Sequence, residues 1–185
     1  MKNITCVKLC SLYSTLKNKL SSMNEHIVPL FLRICLGWEF LHAGYNKFNG
    51  QNWFTDIHFP FPFSLLSPEM NWHASIFFEF TGGIALILGI ATRLFSFNLI
   101  IITIVAMISV HFSDKWHSFS DVLTGYRIID EQGDGLGNYK LPLIFLIMFL
   151  PLLSLGGGKI SLDYLFSKCF KCKSANCDNK QIDNV

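Results

Sequence analysis

Five ionisable side chains interrupt sequence that is otherwise apolar: Arg33, Glu39, His42, Glu79 and His111. A carboxylate or imidazole in such surroundings can pass a proton, hydrogen-bond a carbonyl ligand or hold a metal. Glu39 and His42 are three residues apart, which puts them on one face of a helix. Burial and a neighbouring imidazole act on a carboxylate's proton affinity in opposite directions. Such a pair could therefore carry protons to or from a quinone. Arg33 lies roughly 120° around a helix from Glu39, a poor angle for pairing, and near a helix end it can snorkel to the surface. Glu79 precedes Thr81, Gly82 and Gly83 and could instead hydrogen-bond inside a bundle and fix its register. His111 closes an apolar stretch, an ordinary place for a histidine.

Metal chemistry has two weaker candidate sets. Cys169-Phe-Lys-Cys172 is a single CxxC, with Cys177 five residues on. With Cys6 and Cys10 it could offer thiolates to zinc or copper. Lys171 and Lys173 would favour the thiolate form. Without a second CxxC, the blander reading is a tail with incidental thiols. Cys35 falls in an apolar stretch and reads as inert. His58, His73 and His117 could join His42 and His111 on one side of a membrane, but no His-x3-His spacing supports such a site.

The elements that position these residues follow from the distribution of charge. Of the 185 residues, 51% are hydrophobic and 15% charged, against about 25% charged in soluble domains. This composition excludes a disordered chain, a coiled coil and a nucleic-acid-binding domain. Leu94–Ser113 and Leu141–Gly158 contain no Lys, Arg, Asp or Glu; Met70–Thr92 contains only Glu79, and Ile27–Asn46 only Arg33 and Glu39. About 20 helical residues cross ~30 Å of hydrocarbon, and backbone in lipid must bond to itself. The expected fold is all-α, an integral membrane four-helix bundle with spans at about 29–46, 72–92, 94–112 and 141–156. Glu39, His42, Glu79 and His111 then fall from the midplane outwards.

Lysine and arginine orient the spans. Lys2, Lys8, Lys17, Lys19, Arg93 and the lysines from Lys159 to Lys180 lie on one side; Lys47, Lys115, Arg127 and Lys140 lie on the other, among acids. The positive-inside rule places both termini in the cytoplasm of a bacterial inner-membrane protein. The first 26 residues lack the apolar core of a signal peptide. They read as an amphipathic helix on the cytoplasmic leaflet, with Leu12, Leu16 and Leu20 towards one side and lysines towards the other. The chain thus divides into a surface segment 1–26, a transmembrane domain 27–166 and a Cys/Lys tail 167–185.

Helix 1 is expected to start near Pro29, where a missing N–H costs nothing. The Phe/Pro-rich segment from Trp53 to Phe63 forbids a long regular helix and suits an interface-hugging lid. Ala91-Thr92-Arg93 is too short for anything but an antiparallel turn. Gly133-Asp134-Gly135-Leu136-Gly137 reads as a turn and not a phosphate loop, since no Lys-Ser/Thr follows it. Pro151 should kink the last helix. Gly37, Gly44, Gly82, Gly83 and Gly89 are placed for close helix packing.

Several fragments taken together resemble the DoxX-like family of small four-helix bacterial inner-membrane proteins. They are Leu32-Arg33, Leu36-Gly37, Phe40-Leu41, Ala43-Gly44 and Lys47 in the first span; Glu79, Gly82-Gly83, Leu86, Leu88-Gly89 and Ala91-Thr92-Arg93 in the second; and Gly158-Lys159-Ile160-Ser161-Leu162-Asp163 after the last. The resemblance covers residues 29–166. It implies the fold and an inner-membrane location, and an association with quinol-linked oxidoreductases or with oxidative- and metal-stress systems. It carries no catalytic set over to this chain.

The expected function is a membrane subunit supporting a quinone-linked redox or oxidative-stress system. Quinone is its candidate cofactor, and its candidate partners are an oxidoreductase, the lipid bilayer and further copies of itself, with no nucleic acid. The alternatives are a non-enzymatic membrane scaffold or metal-stress accessory protein, and a small oligomeric transporter. Whether the chain is itself catalytic stays open.

Overall fold

A computed structural model describes residues 2–130 and 133–169, with residues 2–10 and 22–25 described by backbone alone. Every regular element among them is helical. α1 spans Lys2–Asn49, α2 Pro68–Leu88, α3 Thr92–Ala106, α4 Phe119–Thr124 and α5 Lys140–Leu155. Two 3-10 turns, Phe54–Asp56 and Phe63–Leu65, lie between α1 and α2, and a π turn, Met107–His111, extends α3. Residues 162–169 are also helical.

One expectation is corrected here. The separate helix start at Pro29 is replaced by a single helix, Lys2–Asn49, that runs through it. An interior proline forfeits one i→i−4 bond and crowds the preceding turn. Pro29 is fully buried, and that burial offsets the loss.

α2 has clear local causes. Ser67 Oγ accepts a hydrogen bond from the Met70 N–H at 3.2 Å, and Pro68 and Glu69 occupy the first turn. At the other end Gly89 is left-handed (φ +71°), and the N–H groups of Gly89 and Ile90 both donate to the Ala85 carbonyl. Helix α1 packs on α2, α2 on α3, α3 on α5 and α5 on α1. Glycine permits the first contact: a Cβ on Gly37 would stand 2.8 Å from the Gly83 carbonyl oxygen, and one on Gly83 2.7 Å from the Leu41 nitrogen. Leu36, Phe40, Leu86, Leu99, Phe149 and Leu152 form the core. Phe40 tilts against Phe149 at 5.4 Å and Phe145 at 5.9 Å.

Polar side chains share the interior with the apolar core, and many large apolar side chains face outwards. Arg33, Asn71, Glu79, Thr92, Ser96 and Thr103 are buried, while Phe31, Phe97, Ile147 and Leu150 are more than half exposed. Water penalises that distribution and hydrocarbon favours it. Ser11–Asn49 and Thr92–His111 are each long and apolar enough to cross a membrane, and Lys140–Leu155 is a shorter apolar helix.

The segment between α3 and α5 has its own architecture. Arg127 donates to the Asp130 and Asp134 carboxylates and to the Gly137 carbonyl. The Trp116 indole N–H donates to the Leu136 carbonyl at 2.7 Å, and the Tyr139 hydroxyl to that of Val122 at 3.0 Å. Ser118 and Asp121 form a capping box on α4.

Candidate functional site

Two polar arrangements sit at opposite ends of the helices. The first is a cavity of about 240 Å³ where α1, α2 and α3 meet the segment from Trp53 to Leu66. Phe54, Phe59 and Phe63 supply aromatic wall, and Ile102, Val105 and Val110 supply aliphatic wall from α3 and its π turn. Phe54 anchors the lid: its ring stands edge-on to Trp72 at 5.0 Å, and Phe59 leans on it at 5.1 Å. The Asn71 side chain donates to the Phe63 carbonyl at 3.0 Å and ties the lid to α2. Prolines 60 and 62 keep this stretch out of regular helix, so its rings fold over the end of the bundle.

Lys47 and Glu79 stand in the wall of this cavity. Lys47 Nζ donates to Glu79 Oε1 at 2.5 Å, and the Glu79 side chain is only 5% exposed. The ammonium also lies 5.6 Å from the centre of the Phe54 ring. Among the described residues the second carboxylate oxygen, Oε2, is buried and accepts no hydrogen bond. A buried acceptor without a donor is costly and rare. The site therefore combines an apolar, ring-sized space with a fixed cation and a carboxylate that has one oxygen unanswered.

The opposite end is built around Arg33. It does not snorkel: it is 2% exposed. Its Nε donates to the Leu86 carbonyl, Nη1 to those of Gly157 and Ile160, and Nη2 to that of Ile87. Asp163 completes the knot by accepting from the Ala91 N–H at 2.6 Å and the Thr92 N–H at 2.8 Å, which caps α3. The Asp163 N–H donates to the Gly89 carbonyl. Gly89 cannot be larger, since a Cβ there would meet the Arg33 guanidinium at 2.8 Å. Four of the five Arg33 N–H groups are thus spent on backbone carbonyls, an arrangement that ties helices together.

The remaining candidates are not brought to the cavity. Glu39 and His42 are exposed on the outer face of α1. His42 Nδ1 lies 3.3 Å from the Asn46 amide nitrogen, and Glu39 has no polar partner among the described residues. His111 is half-buried, and its Nδ1 donates to Asn138 Oδ1 at 2.7 Å, pinning the loop to α3. His58, His73 and His117 are exposed, and among the described residues no three His, Cys, Asp or Glu side chains gather. Cys169 is exposed; Cys172 and Cys177 lie outside the described residues, as do the side chains of Cys6 and Cys10. Lys47 is the residue that the ionisable set lacked. Its signal was weak: a lone lysine just past the apolar part of α1 reads as an interfacial anchor.

The sequence profile of the DoxX family matches residues 28–112, which include Arg33, Lys47, Glu79 and the whole lid. An uncharacterised protein of Haemophilus influenzae is 37% identical over 158 residues, covering 84% of this chain and 94% of that relative. No solved structure matches the chain.

Proposed function

The chain belongs to the DoxX family, and we propose that it is a membrane subunit that binds a quinone headgroup beside Lys47 and Glu79 for a redox partner. In this reading α1, α2, α3 and α5 are four spans of a bundle in the bacterial inner membrane with both termini in the cytoplasm. The apolar exterior and the lysine distribution support that placement. The observation that carries the ligand reading is the half-answered Lys47–Glu79 pair in an aromatic cavity.

Size and chemistry agree. An apolar cavity of about 150 Å³ holds benzene, so about 240 Å³ accommodates one substituted ring. A quinone offers flat apolar faces to aromatic walls and carbonyl oxygens to donors. Lys47 would donate to one carbonyl. Glu79 would take or give a proton through Oε2. Quinone reduction consumes two electrons and two protons; the electrons come from the partner, and this chain supplies position and a proton path. The alternative, a non-enzymatic scaffold, is favoured by the Arg33–Asp163 knot, where charge serves architecture alone.

The test is titration of the full-length chain in lipid nanodiscs with a short-chain ubiquinone, read by quenching of tryptophan emission. Trp53 lines the cavity. The double variant Lys47→Leu/Glu79→Leu should weaken binding at least tenfold, while Glu39→Gln leaves it unchanged. The double replacement avoids leaving one buried charge unpaired, which alone costs about 3–5 kcal/mol. Equal binding by the double variant and the native chain would refute the assignment.

A further inference from the structure

One face of α1 looks away from the bundle and carries polar groups that the cavity does not use. Phe31, Cys35, Trp38, His42, Tyr45 and Asn49 are all exposed, and they recur at alternating intervals of four and three residues. That is the spacing of a helix–helix seam. Glu39 and Asn46, also exposed, border it. Glu39 lies ten residues before the end of α1, about 15 Å along the helix, so in a spanning α1 it sits near mid-depth. An ionisable side chain facing hydrocarbon there is costly and calls for a partner.

The patch contains what Glu39 lacks. Trp38 and His42 each carry a ring N–H, and Glu39 is an acceptor. Copies of one chain share their orientation in a membrane, so a two-fold axis along the membrane normal sets α1 parallel to α1. Residues spaced by four and three then interdigitate, and each Glu39 comes beside the partner's Trp38 and the partner's His42. Donor and acceptor are exchanged in both directions by one surface. Lipid chains offer no such donors.

We propose that this face of α1 is the interface of a homodimer in which Glu39 accepts hydrogen bonds across the two-fold axis. The inference rests on α1 crossing the membrane and not on the quinone site.

Cys35 lies on the seam and provides the test. Cys6, Cys10, Cys169, Cys172 and Cys177 are changed to Ser in the full-length chain, and native membranes are treated with a short bis-maleimide. Cys35 should give a covalent dimer. Glu39→Leu combined with His42→Leu should lower its yield at least fivefold while the chain stays in the membrane at native level. A control with Cys35→Ser and Phe97→Cys, on an exposed position of α3, should stay monomeric. Monomer alone, equal yield from the α3 control, or an adduct with a different protein would overturn the proposal. Release of the chain by alkaline carbonate would overturn the membrane reading with it.

Discussion

Lys47 and Glu79 share one strong hydrogen bond, and the geometry leaves the second Glu79 oxygen facing no donor. That imbalance is what supports the ligand reading over a simple buried ion pair. Arg127 and Asp134 show the contrasting, fully engaged case at the residue scale. Hydrogen bonds from Arg127 and from the Leu136 N–H hold the Asp134 carboxyl at about 2, well below its usual range. A depressed carboxylate stabilises the fold above its unfolded value, near 4, and the stabilisation disappears as pH falls through the folded one. The Asp134 contribution to the loop should therefore be fully present down to about pH 4 and be lost between about 4 and 2. Trp116 emission in nanodiscs reports this, because its indole is bonded to Leu136. Asp134→Asn should abolish that acid transition; an unchanged transition would show that Asp134 does not set it. At this scale Glu79 was legible in the sequence, because a carboxylate in an apolar stretch is conspicuous. Lys47 was not: its pairing depends on a contact across 32 residues of chain. Glu39 and His42 were legible as a helix-face pair, but spacing alone does not say which face looks inward.

Among elements, Arg33 has the widest reach. It joins α1 to the last turn of α2 and to the chain after α5 through four carbonyls. Arg33→Leu would remove all four bonds; the Leu86 carbonyl keeps the Gly89 N–H, but the Gly157 and Ile87 carbonyls lose the Arg33 donor, at about 1–3 kcal/mol each, and the change should lower the unfolding temperature by many degrees. Arg33→Lys keeps the charge but loses the planar fork and cannot reach all four. It should fall between Leu and the native chain in a thermal scan; a native-like unfolding temperature in Arg33→Leu would contradict the knot. The surrounding motif was visible in the sequence, yet its logic was not. Asp163 caps α3 from 71 residues away, a relation that no local pattern encodes. The same limit explains α1. Pro29 looked like a first-turn residue, but the fold buries it inside a continuous helix.

For the molecule as a whole, buried polar groups share the interior with an apolar core, while many large apolar side chains face outwards. The apolar stretches gave that character away in the sequence, because charge other than Arg33, Glu39 and Glu79 is confined to loops and ends. The cavity was not foreseeable at this level. It needs the Pro/Phe segment folded onto α2 and Glu79 turned towards it, and both are outcomes of packing. The two ends then divide labour, with the Arg33 knot fixing the helices and the aromatic end leaving a ring-sized space beside a buried ion pair.

The most direct measurement is photolabelling of the full-length chain in native membranes with an azido-quinone, followed by peptide mapping. The account predicts adducts within residues 53–66 and 71–79, suppressed by excess unlabelled quinone. Adducts confined to the outer face of α1, or labelling that unlabelled quinone does not suppress, would contradict it.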